Sequence, residues 1–250
     1  MFEEITFESQ NISCYVDGTI AIIKLKQNVF HEVIDFVNNE KFIHILSSIN
    51  NNIRIKGLLV INEPGSLGRT EYEKLVTNYL PDDESDITKS DILKMKRSRG
   101  INVLRSIILK FVDFNKIIIS CLSGDVVTPF FGLSLSANFR FATENMSYIL
   151  AHRKFGSHPS GALPFFLKRY VNWSKQNEIL YCRDEILAEE ARDLGIIDKI
   201  FPEEKFEENC ILELNKIIEK NKDSINKTRL LMRYPISDLI DYFDKETLFI

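Results

Sequence analysis

Cysteine is scarce in this sequence, and the cysteines that occur are far apart. Four are found among 250 residues, and they show neither a CxxC spacing nor the Cys/His spacing of a metal site. They are Cys14, Cys121, Cys182 and Cys210. This pattern disfavours zinc modules and a disulfide framework. We therefore expect structural thiols in a reducing compartment, which is the cytoplasm, and no metal.

Clusters of positive charge are also few. Lysine and arginine total 32 against 36 aspartates and glutamates, which gives a formal net charge of -4. A nucleic-acid binder needs basic residues clustered on one face, so this class is disfavoured. The one basic run, Lys94-Met-Lys96-Arg97-Ser-Arg99, follows the acidic run Asp82-Asp-Glu84-Ser-Asp86. The pair is either a solvated, mobile segment or a contact for an anionic ligand.

Long apolar runs are missing as well. No stretch reaches the length needed to cross a bilayer, and the first residues, Met-Phe-Glu-Glu, lack the basic region of a signal peptide. We expect neither membrane insertion nor secretion.

The residues that are present alternate between strand and helix patterns, in a chain whose length suits one principal domain. Strand patterns occur at Ile12–Val16, Thr19–Leu25, Gly57–Asn62 and Lys116–Leu122. Asp17-Gly18 predicts a hairpin turn between the first two. Helical spacing of apolar residues at Val29–Ile49 and Ile101–Phe111 connects the later strands. This order predicts an α/β fold with a largely parallel sheet covered by helices.

The segment that follows Leu122 is ambiguous from the residues alone. Strict alternation of apolar residues favours a strand. These residues are Phe131, Leu133, Leu135, Ala137, Phe139 and Phe141. In contrast, Thr128 and Pro129 suit the start of a helix, and the small residues Gly132, Ser134 and Ser136 suit a closely packed one.

The C-terminal third is mostly helical in pattern. Ala188–Leu194 predicts a helix that ends at Gly195, and Ile196–Phe201 predicts a short strand that Pro202 stops. The tail, Glu207–Ile250, predicts helices interrupted at Pro235 and packed on another part of the protein.

Several motifs follow one another along the chain. They are Lys116-Ile-Ile-Ile, Ser123-Gly124, Thr128-Pro129-Phe130, Phe139-Arg-Phe-Ala-Thr-Glu144-Asn145, Gly156-Ser-His-Pro159-Ser-Gly161 and Ile186–Pro202 with its Ala-Glu-Glu-Ala and Gly-Ile-Ile-Asp. In this order they resemble the motifs of the crotonase family, also called enoyl-CoA hydratase/isomerase. The segment Glu63-Pro-Gly-Ser-Leu-Gly-Arg69-Thr-Glu is similar to the family's Phe-Ser-x-Gly-x-Asp loop.

The resemblance implies a crotonase-like spiral of repeated ββα units over residues 1–202. Residues 203–250 would form a C-terminal helical trimerisation region, truncated relative to the family, and the protein would be a homotrimer or hexamer. The resemblance also favours a buried helix at Pro129–Ala137, followed by a strand at Asn138–Ala142.

The resemblance further implies a site that binds the carbonyl of an acyl thioester. By position, the oxyanion donors are the amides of Arg69 and Pro129, with Leu67, Gly68 and Gly132 lining the site. Proline has no N–H to donate. Either the Phe130 amide substitutes for it, or the site no longer stabilises an enolate in the family's way.

The family's two catalytic glutamates correspond to Gly132 and His152, so hydration by paired carboxylates is not expected. His152 is either a general base or an ordinary buried histidine bonded to a carbonyl. Asp125 is a further candidate, although aspartate after glycine is also common in turns.

Two functions follow from the resemblance. The first is a lyase- or isomerase-type enzyme that acts on a thioester of CoA or of an acyl carrier protein, with the CoA thioester as substrate and no separate cofactor. The second is a catalytically inactive binding or structural protein of the same fold. The weak match of Leu25–His31 to the family's CoA-binding start leaves the affinity for the nucleotide of CoA open.

Overall fold

The computed structural model describes residues 5–27, 29–30, 36–77, 87–219, 227–228, 231–232 and 235–249. The strands are β1 (Phe7–Glu8), β2 (Ile12–Asp17), β3 (Ile20–Leu25), β4 (Gly57–Asn62), β5 (Ile117–Leu122), β6 (Asp125–Val127), β7 (Phe139–Thr143), β8 (Ser147–Ile149), β9 (Glu185–Leu187) and β10 (Lys199–Phe201). The helices are α1 (Phe36–Asn51), α2 (Arg69–Thr77), α3 (Ile87–Asp113), α4 (Thr128–Leu135), α5 (Leu163–Leu167), α6 (Trp173–Cys182), α7 (Ala188–Asp193), α8 (Phe206–Ile218) and α9 (Ile236–Thr247).

The main sheet has the strand order β1-β2-β3-β4-β5-β7-β10. Its first three strands are antiparallel neighbours, and every pair from β3 to β10 is parallel. A second sheet of three strands has the order β6-β8-β9. The predicted α/β class with a largely parallel sheet is therefore confirmed.

The central strands are largely apolar because helices cover both faces of the sheet. On β3, Ala21 and Ile23 point into the larger core, while Ile20 and Ile22 belong to a second cluster on the opposite face. Every residue of β4 and of β5 is buried. Continuous apolar runs in the sequence thus became the central strands.

Helix α8 covers the second face of the sheet. Phe206, Cys210 and Leu214 recur at helical spacing and are buried in the second cluster. The Leu214 side chain occupies the space beside Gly57, where a Cβ atom would lie 2.8 Å from Leu214 Cδ2. The beginning of the C-terminal tail therefore packs on the sheet, as the sequence predicted for this tail.

The hairpin between β2 and β3 is confirmed, with Gly18 at φ +57° in the turn. Helix α4 is also confirmed, although it starts one residue and ends two residues earlier than the predicted Pro129–Ala137, and all eight of its residues are buried. The strand alternative for this segment was wrong because a helix that is apolar on every side has no informative periodicity. Among the longer helices, α3 extends well before the predicted start at Ile101.

The predicted strand Ile196–Phe201 is too long, since β10 covers only Lys199–Phe201. The amides of Ile196 and Ile197 both donate to the carbonyl of Ala191 and complete the end of α7, with Gly195 at φ +72°. Pro235 lies immediately before α9, so it begins that helix.

The basic run at 94–99 lies inside helix α3, and the acidic run Asp82–Asp86 lies outside the described residues. The basic half of the predicted segment is therefore helical, and its mobility stays a prediction. Across the residues described, none of the helices is both long enough and apolar enough to span a membrane.

The docking of α8 can be tested with two leucines of that helix. Leu214→Ala should lower the free energy of unfolding by about 3 kcal/mol, because it removes a fully buried side chain and leaves a cavity. Leu212 is 52 % exposed, so Leu212→Ala should change the free energy of unfolding by less than about 0.5 kcal/mol. Urea denaturation measures both, and equal losses would contradict this packing.

Candidate functional site

Two loops predicted to form one site do lie side by side. The Val127 amide, directly before α4, donates to the Leu67 carbonyl at 3.0 Å. The Gly68 amide closes the turn by donating to the Gly65 carbonyl at 3.1 Å, and Gly65 has φ +83°. The segment at residues 67–69 is thus held against the start of α4.

The predicted oxyanion donors lie at two helix N-termini. Arg69 is the first residue of α2, and Phe130 is the third residue of α4. Amides in the first turn of a helix have no carbonyl acceptor within the helix, so they are available to an external oxygen. Pro129, between Thr128 and Phe130, offers none.

The side chains of Arg69 and Asp125 are engaged with each other at the surface. Arg69 Nε lies 3.8 Å from Asp125 Oδ2, and Arg69 Nη2 lies 3.6 Å from Glu185 Oε2. Asp125 Oδ1 also accepts a hydrogen bond from the Ser147 hydroxyl at 3.1 Å. These contacts tie β6, β9 and α2 together.

Four aromatic rings join the pieces around the two loops. Phe30 meets Phe130 edge-to-face at 5.1 Å between centroids, and Phe30 lies 5.8 Å from Tyr72. Tyr72 in turn meets Phe155 at 5.7 Å. Burial raises the pKa of Tyr72, so its phenol stays protonated in this apolar setting.

Gly132 faces the backbone of the loop that precedes α5. A Cβ atom on Gly132 would lie 2.2 Å from the Gly161 carbonyl oxygen and 2.9 Å from the Leu163 nitrogen. A Cβ atom on Gly161, which has φ +73°, would lie 2.2 Å from the Pro129 carbonyl oxygen. The two glycines therefore allow a contact that no side chain can enter.

His152 is buried, and both its ring nitrogens have neighbours. Nε2 lies 3.2 Å from the Leu180 carbonyl, and Nδ1 lies 3.3 Å from Thr128 Oγ1. A carbonyl only accepts, so we assign the proton to Nε2, which directs the lone pair of Nδ1 to Thr128. Burial lowers the pKa of His152, which keeps the ring neutral at pH 7.

Glu246 on α9 was not identified from the sequence. It is 3 % exposed, and its carboxylate accepts the amides of Gly161 at 3.0 Å and Ala162 at 3.1 Å. Ala162 is left-handed at φ +55° and caps α5. Burial raises the pKa of Glu246 to about 7, although the two amide hydrogen bonds act in the opposite direction.

A sequence signal for Glu246 did exist. Leu239, Phe243 and Glu246 recur at helical spacing on one face of α9, and all three are buried. A glutamate on the apolar stripe of a helix indicates a buried, hydrogen-bonded carboxylate.

Comparison with known proteins decides the family. The model of the enoyl-CoA hydratase/isomerase family matches residues 96–243, more than half of the chain. The chain belongs to this family.

The curated relatives are distant. Chromodomain Y-like protein of Mus musculus is 21 % identical over 148 residues, which are 58 % of this chain and 24 % of that protein. Enoyl-CoA delta isomerase 2 of Rattus norvegicus is 22 % identical over 140 residues, 54 % of this chain and 35 % of that protein. The chain thus spans between about a quarter and a third of the length of these relatives.

Solved structures show the same fold. An enoyl-CoA hydratase from Bacillus halodurans superimposes with a TM-score of 0.76 at 17 % identity, covering 96 % of this chain and 93 % of that one. A HypX variant from Aquifex aeolicus gives a TM-score of 0.77 at 15 % identity, covering 97 % of this chain and 42 % of that one. The predicted crotonase fold is confirmed.

The crotonase fold therefore brings together the predicted residues Leu67, Gly68 and Arg69 with the start of α4. Gly132, the fifth residue of α4, lies against the backbone of Gly161. The Nδ1 atom of His152 lies 3.3 Å from Thr128 Oγ1, at the start of the same helix. Within the described residues, no group of three or more His, Cys, Asp and Glu side chains is placed to hold a metal ion. The catalytic or binding roles predicted for these residues remain predictions.

Two glycine substitutions test the contact between α4 and the loop. Gly132→Ala should lower the free energy of unfolding by about 1–3 kcal/mol, because the new methyl group overlaps backbone atoms. Gly100→Ala, in α3 with open space around the Cβ position, should raise it by about 0.5–1 kcal/mol. Urea denaturation of both variants checks this, and a neutral Gly132→Ala would refute the close approach.

Glu246 predicts a pH dependence of stability. Its folded pKa of about 7 lies above its ordinary value of 4.5, so the folded chain binds this proton more tightly than the unfolded chain. Its contribution is fully present below about pH 4.5 and is lost as the pH rises to about 7. Glu246→Gln removes this titration, so the wild type should lose about 1–3 kcal/mol more than the variant between these pH values.

Urea denaturation of both proteins at several pH values measures that difference. The variant should also be less stable than the wild type near pH 5, because a glutamine amide accepts through only one atom. Parallel pH profiles for the two proteins would show that Glu246 does not titrate in this way.

Proposed function

We propose that this protein is a crotonase-fold binding protein that has lost the paired-carboxylate hydration of its family. One observation carries the proposal: the Gly161 carbonyl oxygen fills the place where a side chain at position 132 would begin, 2.2 Å from its Cβ position. The family's first glutamate therefore has neither a residue nor a space here. Paired carboxylates supply the acid and base of hydration, and neither Gly132 nor His152 is a carboxylate.

The surroundings of His152 support the same proposal. A general base needs its lone pair within reach of the proton it abstracts. In His152 that lone pair faces the Thr128 hydroxyl at 3.3 Å, and the other nitrogen faces the Leu180 carbonyl at 3.2 Å. The Thr128 hydroxyl also donates to the Ile149 carbonyl at 3.1 Å, so this lone pair points at a buried hydroxyl that has one proton for two acceptors. The ring thereby lies between α4 and α6.

The ligand that we propose for the two loops is an acyl thioester of CoA or of an acyl carrier protein. The hydrogen bond between Val127 and Leu67 supports it, because it holds the first turns of α2 and α4 beside each other. Free amides at helix N-termini attract a carbonyl oxygen that carries partial negative charge.

A second candidate is an enzyme of isomerase, hydrolase or decarboxylase type that acts on the same thioester. The amide of Arg69, with that of Phe130 as the substitute for Pro129, favours it, since an oxyanion site needs two fixed donors. It requires His152 to leave its present hydrogen bonds and become the base.

We also propose a cytoplasmic homotrimer or hexamer. The four cysteines are free thiols, which suits a reducing compartment. Exposed leucines such as Leu187, at 57 %, and Leu248, at 80 %, suit contacts between subunits.

A titration and an assay with crotonyl-CoA test the proposal. Calorimetry should detect binding of crotonyl-CoA or acetyl-CoA at millimolar concentration or below. Hydration of crotonyl-CoA, followed by loss of enoyl absorbance, should be at least about 10²–10⁴-fold slower than that of a hydratase with both glutamates.

His152→Ala and His44→Ala distinguish the two candidates. His44 is exposed on α1 and serves as the matched control. For the binding protein, neither substitution changes the residual rate. Turnover that His152→Ala abolishes and His44→Ala leaves intact would favour the enzyme. If the protein binds neither crotonyl-CoA nor acetyl-CoA, the thioester site is refuted.

A further inference from the structure

A second cavity lies apart from the two loops. Its volume is about 650 Å³, which is within the range of small-molecule sites. The loop at 152–159 and helices α5, α6 and α9 line it. None of the described lining residues belongs to the segment 67–69 or to α4. Of the residues predicted for the thioester site, His152 alone is among the described lining residues.

The walls of this cavity are largely aromatic. Phe165 and Tyr242 lie 5.6 Å apart between ring centroids, and Leu180 and Pro164 add aliphatic surface. At the rim, Trp173 is 75 % exposed and Tyr181 is 69 % exposed. Aromatic rings in this arrangement favour an aromatic ligand, which adds edge or offset contacts to the burial of apolar surface.

The charge of the lining is positive. Lys168 and Arg153 contribute, and the lining residues that the structure describes include no acid. Arg153 Nη1 lies 3.3 Å from Asp184 Oδ1, so its charge is partly compensated. Lys168 Nζ lies 4.6 Å from the centre of the Phe165 ring. Lys168 thus places a cation directly beside the aromatic wall.

Buried polar groups are also part of the lining. Gln176 is buried and donates from Nε2 to the Pro164 carbonyl at 2.9 Å, which fixes its position in the wall. His158 Nε2 is buried and finds no hydrogen-bond partner in the part of the chain that the structure describes. A ligand with an acceptor or donor group would satisfy it.

We propose that this cavity binds an aromatic monocarboxylate, with its ring between Phe165, Trp173 and Tyr242 and its carboxylate at Lys168. The apolar walls exclude a strongly hydrated anion, and the absence of acids among the described lining residues favours a negative group. The proposal rests on the lining of this cavity and does not depend on whether a thioester binds at segment 67–69 and α4.

The single tryptophan of the chain makes the site directly observable. Trp173 lines the cavity and is the one tryptophan in the sequence, so its fluorescence reports on ligand at the rim. We expect 4-phenylbutyrate to change this fluorescence saturably with a Kd below about 1 mM. The neutral isostere 4-phenylbutanol should bind at least about fivefold more weakly, because it lacks the charge that Lys168 attracts.

Two lysine variants test the role of charge. Lys168→Met keeps the apolar stem and removes the cation, so it should weaken 4-phenylbutyrate about five- to tenfold and leave 4-phenylbutanol unchanged. Lys175 lies on α6 and pairs with Glu178 at 2.8 Å, outside the lining. Lys175→Met should leave both ligands unchanged.

Three outcomes would overturn the proposal. They are no saturable change with 4-phenylbutyrate up to about ten times the expected Kd, equal affinity for acid and alcohol, and equal effects of the two lysine variants. Crotonyl-CoA, measured by calorimetry, serves as a separate arm. Its binding or failure to bind bears on the proposed thioester site, whose segment 67–69 and helix α4 contribute no residue to the described lining of this cavity.

Discussion

The backbone of helix α4 lies so close to the loop before α5 that neither Gly132 nor Gly161 has room for a Cβ atom. The two carbonyl oxygens involved, of Gly161 and Pro129, each lie 2.2 Å from the Cβ position of the opposite glycine. This contact fixes α5 against α4 and aligns the amides of Gly161 and Ala162 with Glu246. Through Glu246 it also determines where α9 docks. The packing of the C-terminal helix thus depends on two residues that have no side chain.

The same contact rearranges the charge of the site. The position expected to carry a carboxylate, Gly132, holds none, and a carboxylate enters instead from α9 and binds backbone amides. An ionised carboxylate with amide donors is a structural cap, and burial opposes its ionisation. Glu246 is the one buried acidic side chain in the described chain. The chemistry that we propose near α4 is therefore that of backbone donors, which would bind a carbonyl oxygen without moving a proton.

Sequence reasoning succeeded where a pattern had one physical interpretation. The hairpin at Gly18 followed from a turn that needs a positive φ, and β4 and β5 followed from uninterrupted apolar runs. It was ambiguous at α4, because a helix buried on every side satisfies a strand pattern equally well. It extended β10 too far, because the apolar residues Ile196 and Ile197 serve the end of α7.

The candidate site was predictable in its backbone and less so in its side chains. The proximity of Leu67 and Val127 followed from the resemblance, since loop positions are properties of the fold. The blocking of Gly132 depends on a contact with Gly161, 29 positions away, which no local pattern encodes. The same holds for His152, which lies in a turn and whose partners Thr128 and Leu180 come from two different helices.

This contrast explains how a TM-score of 0.76 coexists with 17 % identity. The fold requires apolar residues in register on β3, β4 and β5, and many sequences meet that requirement because core positions tolerate different side chains of similar volume. Catalysis requires particular atoms within hydrogen-bond distance of a substrate, and few substitutions preserve them. Gly132 and Pro129 satisfy the first requirement, since both pack well in α4, and they fail the second, since one has no carboxylate and the other no N–H. Selection on the scaffold alone would retain such residues, whereas selection on hydration would remove them.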